Sequence, residues 1–238
     1  FPKKMYKGFL IESELKELQT LKSNTEKPYT VIVGGSKIGS KIHMLKTFLN
    51  TADSILIGGG MAFPFIKYLG GEIGSSICKD TELDVVRNFL NDADKSKTNI
   101  LLPSDCLITN DIKKKTSQKY VDIRCIPKSY IGVDIGPNTI RSFTDKIKNS
   151  KIIMWNGPMG IAEINNFSNG TRGLAKSIIE STNAGAYSII GGGDTISDVS
   201  RFGLKGQFSY VSTGGGAMLD FFKNENLPGI RNLKSIVK

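Results

Sequence analysis

The residues best placed for chemistry in this 238-residue sequence are glycines, set where backbone must approach an anion. Gly34-Gly35, Gly58-Gly59-Gly60, Asn156-Gly157-Pro158, Gly191-Gly192-Gly193 and Gly214-Gly215-Gly216 each follow a short run rich in β-branched or aromatic residues. A glycine loop that enters a helix offers unpaired N–H groups and a partial positive charge, and the missing side chains leave a phosphate free to approach. One such loop marks any turn needing positive φ, whereas five on one edge of a sheet make a phosphate crevice. Lys37 and Lys41 lie four residues apart, so on a helix they share one face at the mouth of that crevice and can neutralise a transferring phosphoryl group. Asp194 directly follows Gly193 and precedes Thr195, where it suits both a helix N-cap and a hard oxygen ligand for Mg²⁺. Glu163, just past the Asn156–Gly160 loop, is positioned to accept from ribose hydroxyls.

The elements that must carry these residues read as a parallel α/β sheet. Tyr29-Thr30-Val31-Ile32-Val33, Ser54-Ile55-Leu56-Ile57, Lys151-Ile152-Ile153-Met154-Trp155, Tyr187-Ser188-Ile189-Ile190 and Phe208-Ser209-Tyr210-Val211 are strand-like runs. Helical spacing separates them, as in the apolar sets Ile38, Ile42, Leu45, Leu49 and Leu83, Val86, Phe89, Leu90. Parallel strands need such crossovers, and consecutive βα units then bring every glycine loop to the carboxyl edge. The expected fold is a three-layer, Rossmann-like α/β domain, with a mostly parallel sheet and helices on both faces. Between residues 99 and 137 the pattern changes to short strands and polar turns, a small excursion. Leu10, Leu15, Leu18 and Leu21 make an amphipathic helix ahead of the first strand, and Leu227-Pro228-Gly229-Ile230 turns into a basic tail. The boundaries follow as a helix over 1–22, a main domain over 23–225 and a tail over 226–238.

Composition removes other classes. No stretch of about 18 apolar residues occurs, and the nearest candidate, residues 54–66, is broken by Gly58, Gly59, Gly60 and Pro64, so no membrane partner is expected. Cys78, Cys106 and Cys125 with the single His43 do not form a usual zinc ligand set and read as reduced thiols in a cytoplasmic protein. The net charge of +10 asks for polyanions, but the lysines are scattered, Lys113-Lys114-Lys115 reads as a solvated loop, and no basic-aromatic interleaving points to nucleic acid. Residues 34–41 come close to a phosphate-binding P-loop, with the lysine one place late. No G-x-G-x-x-G follows a strand, so a hydride-transfer cofactor has no fingerprint. The chain opens on Phe1-Pro2-Lys3-Lys4, without a leader pattern, and reads as starting inside a longer gene product.

In order and spacing, Gly34-Gly35-Ser36-Lys37, Ile57-Gly58-Gly59-Gly60-Met61-Ala62, Trp155-Asn156-Gly157-Pro158-Met159-Gly160, Ile190-Gly191-Gly192-Gly193-Asp194-Thr195 and Ser212-Thr213-Gly214-Gly215-Gly216-Ala217 resemble phosphoglycerate kinase. Gly132-Val133-Asp134-Ile135-Gly136-Pro137 and Leu227-Pro228-Gly229 also fit. The resemblance covers the later, nucleotide-binding half of that family and implies reversible phosphoryl transfer between 1,3-bisphosphoglycerate with ADP and 3-phosphoglycerate with ATP, in glycolysis. It implies that Lys37 steadies the transferring phosphoryl with Lys41 in support, and that Asp194 holds the Mg²⁺ of ADP or ATP. Asn156, Gly157, Pro158, Thr195 and the Gly191-Gly192-Gly193 loop would meet the phosphates, and Glu163 the ribose. Gly34, Gly35, Gly58 and Gly59 would flank adenine, while Gly214, Gly215 and Gly216 would line the transfer site. The opening helix becomes an interdomain connector, the phosphoglycerate-binding N-terminal domain is expected to be absent, and a monomer that turns over poorly alone is expected. Ser36, Ser40 and Ala162 depart from the family's usual alanine, aspartate and aromatic residue. A non-catalytic nucleotide- or polyanion-binding module is the alternative.

Overall fold

The computed structural model describes residues 6–23, 26–113 and 117–223, with Leu227, Ile230 and Leu233. Lys114, Lys115, Pro228, Gly229 and most of the basic tail lie outside the described residues.

The chain enters through helix α1 (Phe9–Ser23), strand β1 (Tyr29–Val33), α2 (Ile38–Phe48), β2 (Ser54–Ile57) and α3 (Ala62–Tyr68). It continues through β3 (Glu72–Ile73), α4 (Asp80–Ala93) and β4 (Asn99–Leu101). The excursion holds β5 (Asp105–Thr109), β6 (Lys119–Asp122), β7 (Cys125–Ile126) and β8 (Ile131–Ile135). The second half alternates α5 (Pro137–Lys148), β9 (Ile152–Asn156), α6 (Asn169–Asn183), β10 (Tyr187–Gly191), α7 (Gly193–Arg201), β11 (Tyr210–Val211) and α8 (Gly216–Lys223).

Six strands form the main sheet in the order β11-β10-β9-β1-β2-β4, all parallel. Alternation along the strands sorts their side chains into two cores, as a sheet covered on both faces requires. Val31, Val33, Ile55, Ile57 and Met154 join one core with Leu18 and Leu21 of α1, Leu45 and Phe48 of α2, Phe89 of α4 and Phe221 of α8. Ile32, Leu56, Ile153, Trp155 and Ile190 join the other with Phe143 of α5, Leu174 and Ile178 of α6 and Val199 of α7. The three-layer expectation is met, and Trp155 is wholly buried as a core residue. One strand is additional: Asn99–Leu101, read with the excursion, is the outer strand of the main sheet beside β2.

The excursion is a three-stranded antiparallel sheet, β6-β5-β8, with the short β3-β7 pair beside it. Its own core contains Phe63, Ile66, Ile108, Ile123 and Ile126. Asp105 ties it to the main body: its carboxylate accepts the Asn138 and Thr139 amides at 3.0 and 2.8 Å, capping the first turn of α5 behind Pro137.

Candidate active site

Strand order reverses between β1 and β9: from β1 the chain steps outward to β2 and β4, then returns to lay β9 on the other side of β1. At such a switch point the two following loops separate from each other's paths and open a crevice at the carboxyl ends of the strands. Here they are joined by main-chain bonds, Gly34 N–H to the Asn156 carbonyl at 2.9 Å and Gly35 N–H to the Pro158 carbonyl at 2.7 Å. A cleft of about 670 Å³ opens beside this junction, lined by Gly35, Gly59 and Pro158, apolar side chains such as Ile77 and Ile131, and the carboxylates Glu163, Asp194 and Asp198.

The glycines expected at the site divide into two kinds. Gly34 and Gly58 are buried beneath the cleft: a β-carbon at Gly34 would sit 2.1 Å from the Pro158 carbonyl oxygen, and one at Gly58 would sit 2.4 Å from Met159 Sδ. Gly157, at φ +99°, has the Gly34 oxygen and Lys41 Nζ each 2.3 Å from where its β-carbon would lie, so this turn admits glycine alone. Gly191 is filled in the same way by Met218. In contrast, β-carbons at Gly193, Gly215 and Gly216 would meet open space. The first kind lets loops interlock, and the second leaves helix ends bare to a ligand.

Lys37 and Lys41, expected on one face, part company. Lys37 precedes the first turn of α2 and is exposed. Lys41 turns inward, and its ammonium donates to the Gly34 carbonyl at 2.7 Å and the Asn156 carbonyl at 3.3 Å. Burial lowers its pKa to about 8, opposed by the charge of Asp194. Ser40 between them donates to the Lys37 carbonyl at 3.1 Å and contributes no charge.

One strand over, α7 begins directly behind Gly191 and Gly192. Asn156 is buried against Gly192, and its side-chain Nδ2 has no hydrogen-bond partner among the described residues. A buried amide donor is costly to leave unpaired, so a donor orphaned beneath a glycine-fed helix N-terminus fits an acceptor supplied from outside the chain. Thr195 is wholly buried and its hydroxyl accepts the Gly157 amide at 2.7 Å, locking the α7 turn to the β9 loop. Asp194, in the first turn of α7, is exposed at the cleft. Among the described residues no group of three or more His, Cys, Asp or Glu is placed to hold a metal ion. A cation at Asp194 would have to take the rest of its shell from groups other than these side chains, as Mg²⁺ commonly does.

The cleft lining does not extend to Gly214, Gly215 and Gly216, which stand at the entry to α8 beside the β11 end of the edge. Their loop is anchored by α1: the Glu14 carboxylate accepts the Ser212 hydroxyl, the Thr213 amide at 3.1 Å and the Tyr210 hydroxyl at 2.9 Å. Neither this anchor nor the inward turn of Lys41 has a signature in local spacing. Asp134, in the Gly132–Pro137 segment, lies buried under the cleft and accepts the Gly170 and Ile135 amides at 2.8 and 2.9 Å. Burial pushes its pKa up to about 7, against the pull of those amides.

The comparisons agree with this architecture. The phosphoglycerate kinase family model matches residues 1–225. The chain is 45% identical over 227 residues to the phosphoglycerate kinase of Thermosipho africanus, covering 95% of this chain and 56% of that protein. The solved phosphoglycerate kinase from Coxiella burnetii superposes with a TM-score of 0.87 at 38% identity, over 94% of this chain and 57% of the other. The Pyrococcus horikoshii phosphoglycerate kinase gives 0.80 at 31% identity, over 95% and 56%. The chain thus spans about half the length of these relatives. By sequence along nearly its whole length, and by fold, the chain belongs to the phosphoglycerate kinase family.

Proposed function

We propose that this chain holds the nucleotide for reversible phosphoryl transfer between 1,3-bisphosphoglycerate with ADP and 3-phosphoglycerate with ATP. The observation that carries the reading is the unpartnered Asn156 Nδ2 beneath the bare N-terminus of α7, next to Asp194. The base enters the cleft between Gly35, Gly59 and the apolar side chains of the small sheet, and Glu163 accepts from the ribose. The phosphates meet Asn156 and the free amides of α7, with the dipole of that helix favouring their charge. Asp194 holds the Mg²⁺ of the nucleotide, which when bound supplies neutralisation of phosphate charge. Lys37, exposed at the start of α2, steadies the transferring phosphoryl. Lys41 acts at one remove, by holding the Gly34 and Asn156 carbonyls of the two loops in register. Gly215 and Gly216, beside which a β-carbon would meet open space, let the phosphoryl pass close to backbone, with Gly214 packed against Glu14. Such a reaction needs alignment and charge neutralisation, and no nucleophilic side chain. Binding of the phosphoglycerate, and the exclusion of water during transfer, are assigned to chain beyond these residues.

Calorimetric titration of ADP, with and without Mg²⁺, tests the reading. Saturable binding strengthened by Mg²⁺, with that preference lost in Asp194→Ala, is expected. Absence of binding in the unmodified chain would sink it.

A further inference from the structure

Arg201, the last residue of α7, touches no candidate ligand group, yet its guanidinium joins the two ends of the site. Nη1 donates to Asn165 Oδ1 at 2.6 Å, and Nη2 donates to the Ala162 carbonyl and, at 3.1 Å, to Asp198 Oδ1. Its plane lies over the Phe202 ring, 4.7 Å from the centroid, and Arg172 of α6 lies over the same ring at 4.1 Å. The residues it grips, Ala162 and Asn165, bracket Glu163. The helix it belongs to carries Asp194 in its first turn. The segment bearing Glu163 is otherwise a turn followed by a short 3-10 helix, with Ala162 buried and Glu163 exposed. A planar fork with several donors can fix such a loop in both distance and angle, which one ammonium cannot do.

We infer that Arg201 is a positioning residue for the nucleoside end of the site, clamping the Glu163 loop to α7 so that ribose and phosphates of one nucleotide are held together. The inference rests on the nucleotide reading above. The same guanidinium sits beside Asp198, which lines the cleft together with Asp134, Glu163 and Asp194, and offsets one carboxylate charge there.

The test compares MgADP, which needs both ends of the site, with magnesium pyrophosphate, which needs only the phosphate end. In Arg201→Met, MgADP affinity falls about tenfold, while pyrophosphate affinity changes less than about twofold. Arg201→Lys, which keeps the charge, shows the same selective loss to a smaller degree and carries the test if the methionine variant folds poorly. Glu163→Gln weakens MgADP binding in the original background but adds no further loss to Arg201→Met, because the clamp acts through Glu163. Equal losses for both ligands, or a Glu163→Gln effect undiminished by Arg201→Met, would overturn the inference. Unchanged MgADP affinity in Arg201→Met overturns it while leaving the nucleotide reading intact, whereas failure of the unmodified chain to bind MgADP removes both.

Discussion

At the β1/β9 junction Gly34 and Gly35 donate through their main-chain amides to Asn156 and Pro158, with the Lys41 ammonium bridging the Gly34 and Asn156 carbonyls, whereas at the β11 border Ser212, Thr213 and Tyr210 all donate to the one carboxylate of Glu14. Both regions present glycine loops at the carboxyl edge of the same sheet. At the junction the glycines are consumed by packing, and the loops interlock so closely that no β-carbon fits at Gly34 or Gly157. At the border Gly215 and Gly216 face open space and the loop is held by side chains from a helix nearly 200 residues away in sequence. A main-chain interlock fixes geometry at the cost of tolerating almost no substitution. Side-chain anchoring is weaker and more adjustable, and it tolerates local movement of the loop it holds.

The contrast is broken most directly at its rigid end. Gly157→Ala forces a β-carbon onto both the Gly34 carbonyl and Lys41 Nζ at a φ of +99°. Strain and overpacking together are expected to cost about 4 kcal/mol, read from the urea unfolding midpoint with MgADP affinity measured alongside. A loss below about 1 kcal/mol would mean the junction gives way more easily than its packing implies.

Lys41 sharpens the comparison through pH. Its folded pKa is about 8 against an ordinary 10.5, so between those values the unfolded chain binds the proton and the folded chain has released it. Stability from this group therefore rises with pH across that window, by about 2 kcal/mol between pH 8 and 10. Lys41→Met lacks that rise, so the difference in unfolding free energy between the two proteins, followed against pH, isolates it. Parallel curves would place the Lys41 ammonium in a wetter setting than its bonds to Gly34 and Asn156 describe.

The smallest effect is expected at the border. Glu14→Gln keeps the shape but exchanges a charged acceptor for one neutral oxygen, and costs about 1 kcal/mol. A melting midpoint lowered by a few degrees, with MgADP affinity unaltered, would separate this anchor from the junction. Loss of MgADP binding would contradict the division drawn between the two regions.

The legible parts of the molecule are those written in local pattern. Strands β1 and β2 fall where the runs ending at Gly34 and Gly58 place them, β9 and β10 match within a residue, and β11 is shorter than its run. Asn99–Leu101 escaped assignment to the main sheet because three residues carry no usable period. The glycine loops were readable as loops that close successive strands of one sheet, but their division into packed and open kinds depends on what lies opposite each of them. Met159 over Gly58 and Met218 over Gly191 are contacts across long stretches of chain. Lys41 was placed correctly on its helix, yet spacing cannot tell a lysine that reaches solvent from one that curls back seven residues to a carbonyl. Arg201 bears no motif at all, since its partners 162 and 165 lie almost forty residues earlier.

The strand order also sets a schedule for assembly. Val31 pairs with Ile55 on one side and with Met154 on the other. As the chain emerges from the ribosome, the first of these pairings can close early, while the second must wait for the 99 further residues from Ile55 to Met154. Throughout that interval β1, mostly apolar and wholly buried in the finished fold, presents an unpaired border, which is the kind of surface that chaperones cover and that stray strands join. The junction of the β1 and β9 loops thus cannot exist until β9 has been made, because half of its wall is β9.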